Sequence, residues 1–195
     1  YGITEDGGLI APADGHLTAL ALEYGVQPLL HLSTLAEGGG FSALHAQAVL
    51  ESDALRARLI AETVAQMRRG GYGGVDVDFE FLGAELADAF AGFLGELRAA
   101  VHAAGGIVVC ALAPKTSAEQ RGVLYEGHDY RRIGENADAV LLMTYEWGYT
   151  YGPPMAVAPI GAVRRVVEYA LTQIPASKIL LGFPNYAYDC TLPYA

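Results

Sequence analysis

The chain has 195 residues, with 12 Lys+Arg against 22 Asp+Glu and a formal net charge of −10 at pH 7. Hydrophobic residues make up 52% and charged residues 17%, which excludes a disordered chain and an extended acidic tail. The acidic balance argues against a nucleic-acid partner, whose phosphates need a basic face, and no apolar run of about 18 residues encodes membrane insertion. Two cysteines, Cys110 and Cys190, are too few for a disulfide framework and match no metal-ligand spacing. Both are expected to be reduced. The sequence opens at Tyr1 without a Met, so it reads as a processed or trimmed piece, and secretion stays open.

In chain order, Tyr1-Gly2-Ile3 resembles the tail end of a strand. Leu17, Leu20 and Tyr24 mark a short helix. Residues 26–33 (VQPLLHLS) read as a buried strand after the turn at Gly25. Over 53–69, Leu55, Leu59, Thr63 and Met67 recur every four residues, and Gly70 offers a C-terminal cap. Residues 75–81 form a second strand, announced by four glycines in the preceding five positions. A helix over 85–104 carries Leu86, Phe90, Phe93, Leu97 and Val101 on one face. Strands follow at 107–113 and 139–145. A helix at 160–174 has Ile160, Val163, Val167, Leu171 and Ile174 in line, and a last strand spans 179–183. Continuous apolar strands alternating with helices of this size indicate βαβ units and a parallel sheet. Neither linker nor repeat divides the chain, so residues 1–195 are one domain. Two architectures fit this pattern: an open doubly wound sheet, or a (β/α) barrel lacking its first and last strands. The second would leave strand edges free for self-association.

The most informative stretch is Gly73-Gly-Val-Asp-Val-Asp-Phe-Glu-Phe81. Side chains alternate along a strand, so Asp76, Asp78 and Glu80 share one face and Val75, Val77, Phe79 and Phe81 the other. Neighbours on one face are roughly 6 to 7 Å apart. Three carboxylates that close, partly out of water, cannot all ionise freely, and at least one pKa must rise. A solvated edge strand is the bland alternative. A Mg²⁺ or Ca²⁺ site is the functional rival, but three carboxylates on one strand need not converge. None of His16, His31, His45, His102 and His128 pairs with another at ligand spacing, and each reads as surface or locally hydrogen-bonded.

The run Gly73-x-x-Asp76-x-Asp78-x-Glu80 resembles the D-x-x-D-x-D-x-E signature of glycoside hydrolase family 18, the chitinase family, with Gly73 in place of the first Asp. Residues 142–159 (LMTYEWGYTYGPPMAVAP) and 182–194 (GFPNYAYDCTLPY) resemble one branch of it, the spore-germination glycosidases that degrade cortex peptidoglycan and often carry LysM repeats. The resemblance implies the barrel architecture, with Glu80 nearest the C-terminal mouth where barrel enzymes do their chemistry.

It also implies substrate-assisted catalysis with retention of configuration, without metal or cofactor. Glu80 would be the acid, Asp78 the orienting and charge-stabilising carboxylate, and Asp76 its deeper partner in sharing a proton. Tyr145 matches the family tyrosine that binds the acetamido oxygen. Met143, Trp147, Asn185 and Tyr186 are implied substrate contacts; Tyr149 and Tyr151 are possible sugar platforms and Lys115 a weaker candidate. The family closes its sugar site with a Trp on the eighth strand, whereas the sole Trp here is Trp147. The implied substrate is spore-cortex peptidoglycan and the implied location the cell envelope, spore or exterior. The alternatives are a chitinase acting on chitin-type oligosaccharides and a non-catalytic sugar-binding relative. Lectins of that last kind typically lose the acid, which is kept here as Glu80.

Overall fold

The computed structural model describes residues 1–35, 40–148 and 153–189. A short antiparallel pair, β1 (Gly2–Ile3) and β2 (Leu9–Ile10), precedes α1 (Gly15–Glu23), β3 (Leu30–Ser33), α2 (Ala43–Glu51) and α3 (Asp53–Gly70). Then come β4 (Gly74–Asp78), α4 (Ala87–Ala103), β5 (Ile107–Leu112), α5 (Tyr130–Asn136), β6 (Ala139–Leu142), α6 (Ile160–Gln173) and β7 (Ile179–Leu181).

The five strands β3 to β7 pair in parallel, and each lies beside the next in sequence. A doubly wound sheet reverses its direction at a switch point. This one never reverses, which is the winding of a (β/α) barrel. On the outer side of β3, the Tyr1 amino group donates to the His31 carbonyl at 2.7 Å and the Tyr1 carbonyl accepts from Ser33 N at 2.8 Å. That is the parallel bonding pattern, so the first residues do extend the sheet as a strand end.

Local chemistry accounts for the main elements. Ser52 caps α3 by accepting from Leu55 N, and Asp53 in the first turn with Arg68 and Arg69 in the last complements the helix dipole. The left-handed cap is Gly71 at φ 72°, one residue beyond the expected Gly70. Gly74 is required by packing, because a Cβ there would run into the Ile107 carbonyl of β5. The predicted face of α4 is fully buried. Between α4 and β4, Phe79 stacks on Phe90 and Phe93 with ring centroids 5.6 and 5.4 Å apart. Each such pair contributes about 0.5–1.5 kcal/mol beyond area burial.

Elsewhere the structure corrects the reading. The helix α6 buries Ala162, Val166 and Ala170, while Ile160 and Leu171 are exposed; the small side chains let the helix approach, and the large ones flank the contact. Only Thr18 of α1 is buried, and Leu17, Leu20 and Tyr24 face outward. All five predicted strands end earlier than expected or begin later. The helices α2 and α5, capped by Ser42 and Asp129, were not foreseen.

At the end of the sheet opposite the carboxylates, Asp138 accepts from Arg98 Nε at 2.7 Å and Val108 N at 2.8 Å, with His102 Nε2 2.8 Å away. Asp138→Ala leaves the Val108 amide without its acceptor. The expected loss is about 1–2 kcal/mol, read as a lower urea midpoint at an unchanged m-value.

Candidate active site

The sheet brings β3 and β4 together in a register that sets His31 beside Asp76 and Ser33 beside Asp78. His31 Nδ1 lies 2.7 Å from Asp76 Oδ2, and Nε2 lies 3.7 Å from Asp78 Oδ2. Asp76 Oδ1 and Asp78 Oδ1 are buried without a hydrogen-bond partner among the described residues. Burial pushes the Asp78 carboxyl up; the His31 charge opposes this and Asp76 adds to it. Glu80 follows two residues later. Burial first, then the charges of Asp78 and Glu146, push it up to about 7. The arrangement is a carboxylic acid poised near neutrality beside a second carboxyl whose ionisation is contested.

Glu80 lies past the last residue of β4, and Phe81 turns the chain at φ 57°. Phe81 is therefore not on the apolar face, as expected from alternation; it is 39% exposed and sits 6.0 Å from the Phe41 ring. The direct β4–β5 pairing stops at Val77 and Cys110. Beyond it a buried imidazole takes over. His128 Nε2 lies 2.9 Å from the Phe79 carbonyl, and Ala113 N donates to His128 Nδ1 at 3.0 Å. These partners fix the neutral tautomer with its proton on Nε2. Tyr130 OH completes the bracket, donating to the Ala113 carbonyl at 2.6 Å. The peptide that precedes Glu80 is thus held from β5 and the loop before α5.

Lys115 belongs to this bracket and not to the cleft. It is 4% exposed, and Nζ donates to the His128 carbonyl at 3.0 Å.

Met143, Thr144 and Tyr145 lie just past β6 and keep its alternation. Thr144 is buried and donates to the Gly182 carbonyl at 2.9 Å, while Met143 and Tyr145 are half-buried. A Cβ on Gly182 would come within 2.5 Å of Tyr145 Cε1, so the glycine makes room for the ring. Burial, followed by the charges of Asp78, Glu146, Glu80 and Asp76, pushes the Tyr145 phenol up. It stays a hydrogen-bond donor at neutral pH. Glu146, which the sequence reading left aside, has φ 62°. Among the described residues the two non-glycine residues with positive φ, Phe81 and Glu146, each directly follow a candidate site residue, where such backbone cost concentrates.

The remaining candidates are looser. The Trp147 side chain packs half-buried against the core, and its backbone amide donates to the Val157 carbonyl at 2.9 Å. Asn185 and Tyr186 lie beyond β7, which ends at Leu181, and both are exposed; Tyr186 OH donates to Glu146 Oε1 at 3.1 Å. Tyr149, Tyr151 and Cys190 lie outside the described residues, and Cys110 is buried and free. Gly73 sits at the other end of β4, donating to the Pro28 carbonyl at 2.9 Å, so its departure from the signature does not touch Glu80. Among the described residues no group of three or more His, Cys, Asp or Glu is placed to hold a metal ion, and no helix is long and apolar enough to cross a membrane.

Residues 27–193 match the family model described as glycosyl hydrolases family 18. The chain belongs to this family. It is 46% identical over 189 residues to the cortical fragment-lytic enzyme of Bacillus subtilis (strain 168), covering 97% of this chain and 44% of that protein. The crystal structure of the Bacillus megaterium QM B1551 spore cortex-lytic enzyme SleL superimposes with a TM-score of 0.94 at 39% identity, covering 100% of this chain and 44% of that one. The chitinase from Chromobacterium violaceum ATCC 12472 superimposes with a TM-score of 0.89 at 26% identity, covering 95% of this chain and 59% of that one. This family 18 chain therefore spans less than half the length of the curated relative, and its (β/α) barrel architecture agrees with these neighbours.

Proposed function

We propose that residues 1–195 supply the acid–base centre of a retaining glycosidase that cleaves β-1,4-linked N-acetylhexosamine in spore-cortex peptidoglycan. The observation that carries this reading is Glu80, pushed up to about 7 at the end of β4 beside the partly desolvated Asp78. Protonated Glu80 gives its proton to the glycosidic oxygen as the C1–O bond breaks. The acetamido carbonyl oxygen of the same sugar attacks C1 and forms a cyclic oxazolinium. Asp78 accepts from the acetamido N–H and offsets the positive charge, Asp76 supports Asp78 from below, and Tyr145 donates its phenol to the acetamido oxygen. Water then adds to C1 from the face the leaving group vacated. Its proton passes to Glu80, which restores the acid and retains configuration. Met143, Trp147, Asn185 and Tyr186 are assigned to the sugar-binding surface around this centre.

The likeness to relatives named for the spore cortex supports peptidoglycan and a spore-envelope location. The likeness to a chitinase supports chitin as the second reading. The deciding experiment assays the full-length protein side by side on cortex muropeptides and chitin oligomers, following the anomer first formed by NMR. Faster release from muropeptides with the β-anomer appearing first is expected. Faster chitin cleavage would move the substrate to the second reading, and an α-anomer first would remove the mechanism.

A further inference from the structure

Asp76 and Asp78 pose a charge problem that the reaction scheme leaves open. Both carboxylates point an unpartnered oxygen into the protein. On the neighbouring strand β5, Val109 pairs with Asp76 and the fully buried Cys110 with Val77, and burial with the charges of the two carboxylates keeps the Cys110 thiol protonated. It offers no positive charge. Among the described residues, the one cationic group within ion-pair distance of either carboxylate is His31. The register of β3 against β4 puts this ring directly beside Asp76, and its far nitrogen reaches toward Asp78.

We infer that His31 is a positioning residue of this site: its imidazolium clamps Asp76 and lends Asp78 the positive charge that keeps it a carboxylate while Glu80 is still an acid. The inference rests on the glycosidase reading above and deepens it. The groups facing His31 are Asp76 and Asp78 from β4, and the Tyr1 amino group, which donates to the His31 carbonyl from the other side. Glu80, Glu146 and Tyr145 stand beyond Asp78.

The hydrogen bond to Asp76 raises the His31 pKa, against burial and the Tyr1 amino group, with the charges of Asp76 and Asp78 adding to the rise. A raised His is fully charged below its ordinary value and loses that charge as pH climbs through the raised one. The support is therefore strongest in acid, where Asp78 would otherwise take up a proton, and it is lost as pH climbs through the raised His31 value.

The test uses the full-length protein and compares pH profiles of kcat and KM for wild type, His31→Gln and His31→Lys. The Gln side chain keeps a hydrogen-bond donor without the charge. Its acid limb should move toward neutrality by about one pH unit, with kcat about tenfold lower on the acid side and KM within twofold. The basic limb, set by Glu80, should stay in place, and His31→Lys should return the acid limb toward wild type. A uniform loss across pH, or an unmoved acid limb in His31→Gln, overturns the inference.

A second measurement does not depend on activity. NMR titration of wild type should place the His31 imidazole above its ordinary value, and Asp76→Asn should bring it down. A His31 value at or below the ordinary one overturns the clamp. The arms separate the two claims: an active Glu80→Gln variant removes the glycosidase reading, whereas an inactive Glu80→Gln with an unmoved His31→Gln profile removes only the role of His31.

Discussion

Glu80→Gln in the full-length protein lowers kcat by a factor of about 10² to 10⁴, with KM within a few fold of wild type. The amide keeps the shape and hydrogen-bonding reach of the side chain but cannot give up a proton to the glycosidic oxygen. The change also removes one negative charge from a cluster that includes Asp78 and Glu146, so the fold should tolerate it. The pH dependence supplies the sharper test. Wild-type Glu80 is pushed up to about 7, first by burial and then by those two charges. Its protonated form does the work, so kcat/KM should fall as pH rises through about 7. The residual activity of the Gln variant should lack that limb. Turnover by Glu80→Gln near the wild-type rate, or an unchanged basic limb, would reject Glu80 as the acid.

The part of this site that one strand encodes was legible. Alternation put Asp76, Asp78 and Glu80 on one face, and four glycines marked where β4 begins. The limits of that reading are physical. Alternation holds only while the backbone stays extended, and Phe81 leaves the extended region at φ 57°, so its side chain breaks the pattern. What belongs to pairing between strands was not legible. His31 is a polar position in a largely apolar strand, yet only the register over 45 residues of separation shows that it meets Asp76. His128 lies in a loop with no period to read, although it holds the peptide before Glu80. The helix α6 shows the same limit in the packing of helices. Its large apolar side chains define a stripe, but Ala162, Val166 and Ala170 are its buried positions, because close approach favours small residues. Lys115 shows a related limit: a charged side chain after a strand gives no sign in the sequence of its burial, which the carbonyl of His128, 13 residues on, accommodates.

His128 should make the fold sensitive to acid. Its imidazole is 1% exposed. Burial lowers its pKa to about 4, with the nearby Lys115 charge adding to the fall and the hydrogen bond to the Phe79 carbonyl opposing it. In the unfolded chain the ring titrates near its ordinary value of about 6.5. Above that value neither state binds the proton, and no penalty exists. Between about 6.5 and 4 the unfolded chain takes up a proton that the fold refuses, so stability falls with pH. By pH 4 the accumulated loss is about 3 kcal/mol.

His128→Gln separates this from the titration of the carboxylates, which both proteins share. At pH 7 the variant should be less stable by about 1–3 kcal/mol, because the amide's acceptor and donor, on a longer flexible side chain, do not occupy the positions of the ring nitrogens that meet the Ala113 N–H and the Phe79 carbonyl. As pH falls toward 4, wild type should lose stability faster, and the two curves should converge or cross. Urea midpoints at half-unit steps between pH 7 and 4 read this directly. Parallel curves would mean that His128 is charged, or reaches water, in the folded protein. The neutral bracket behind Glu80 would then be wrong, together with the tautomer assigned to it.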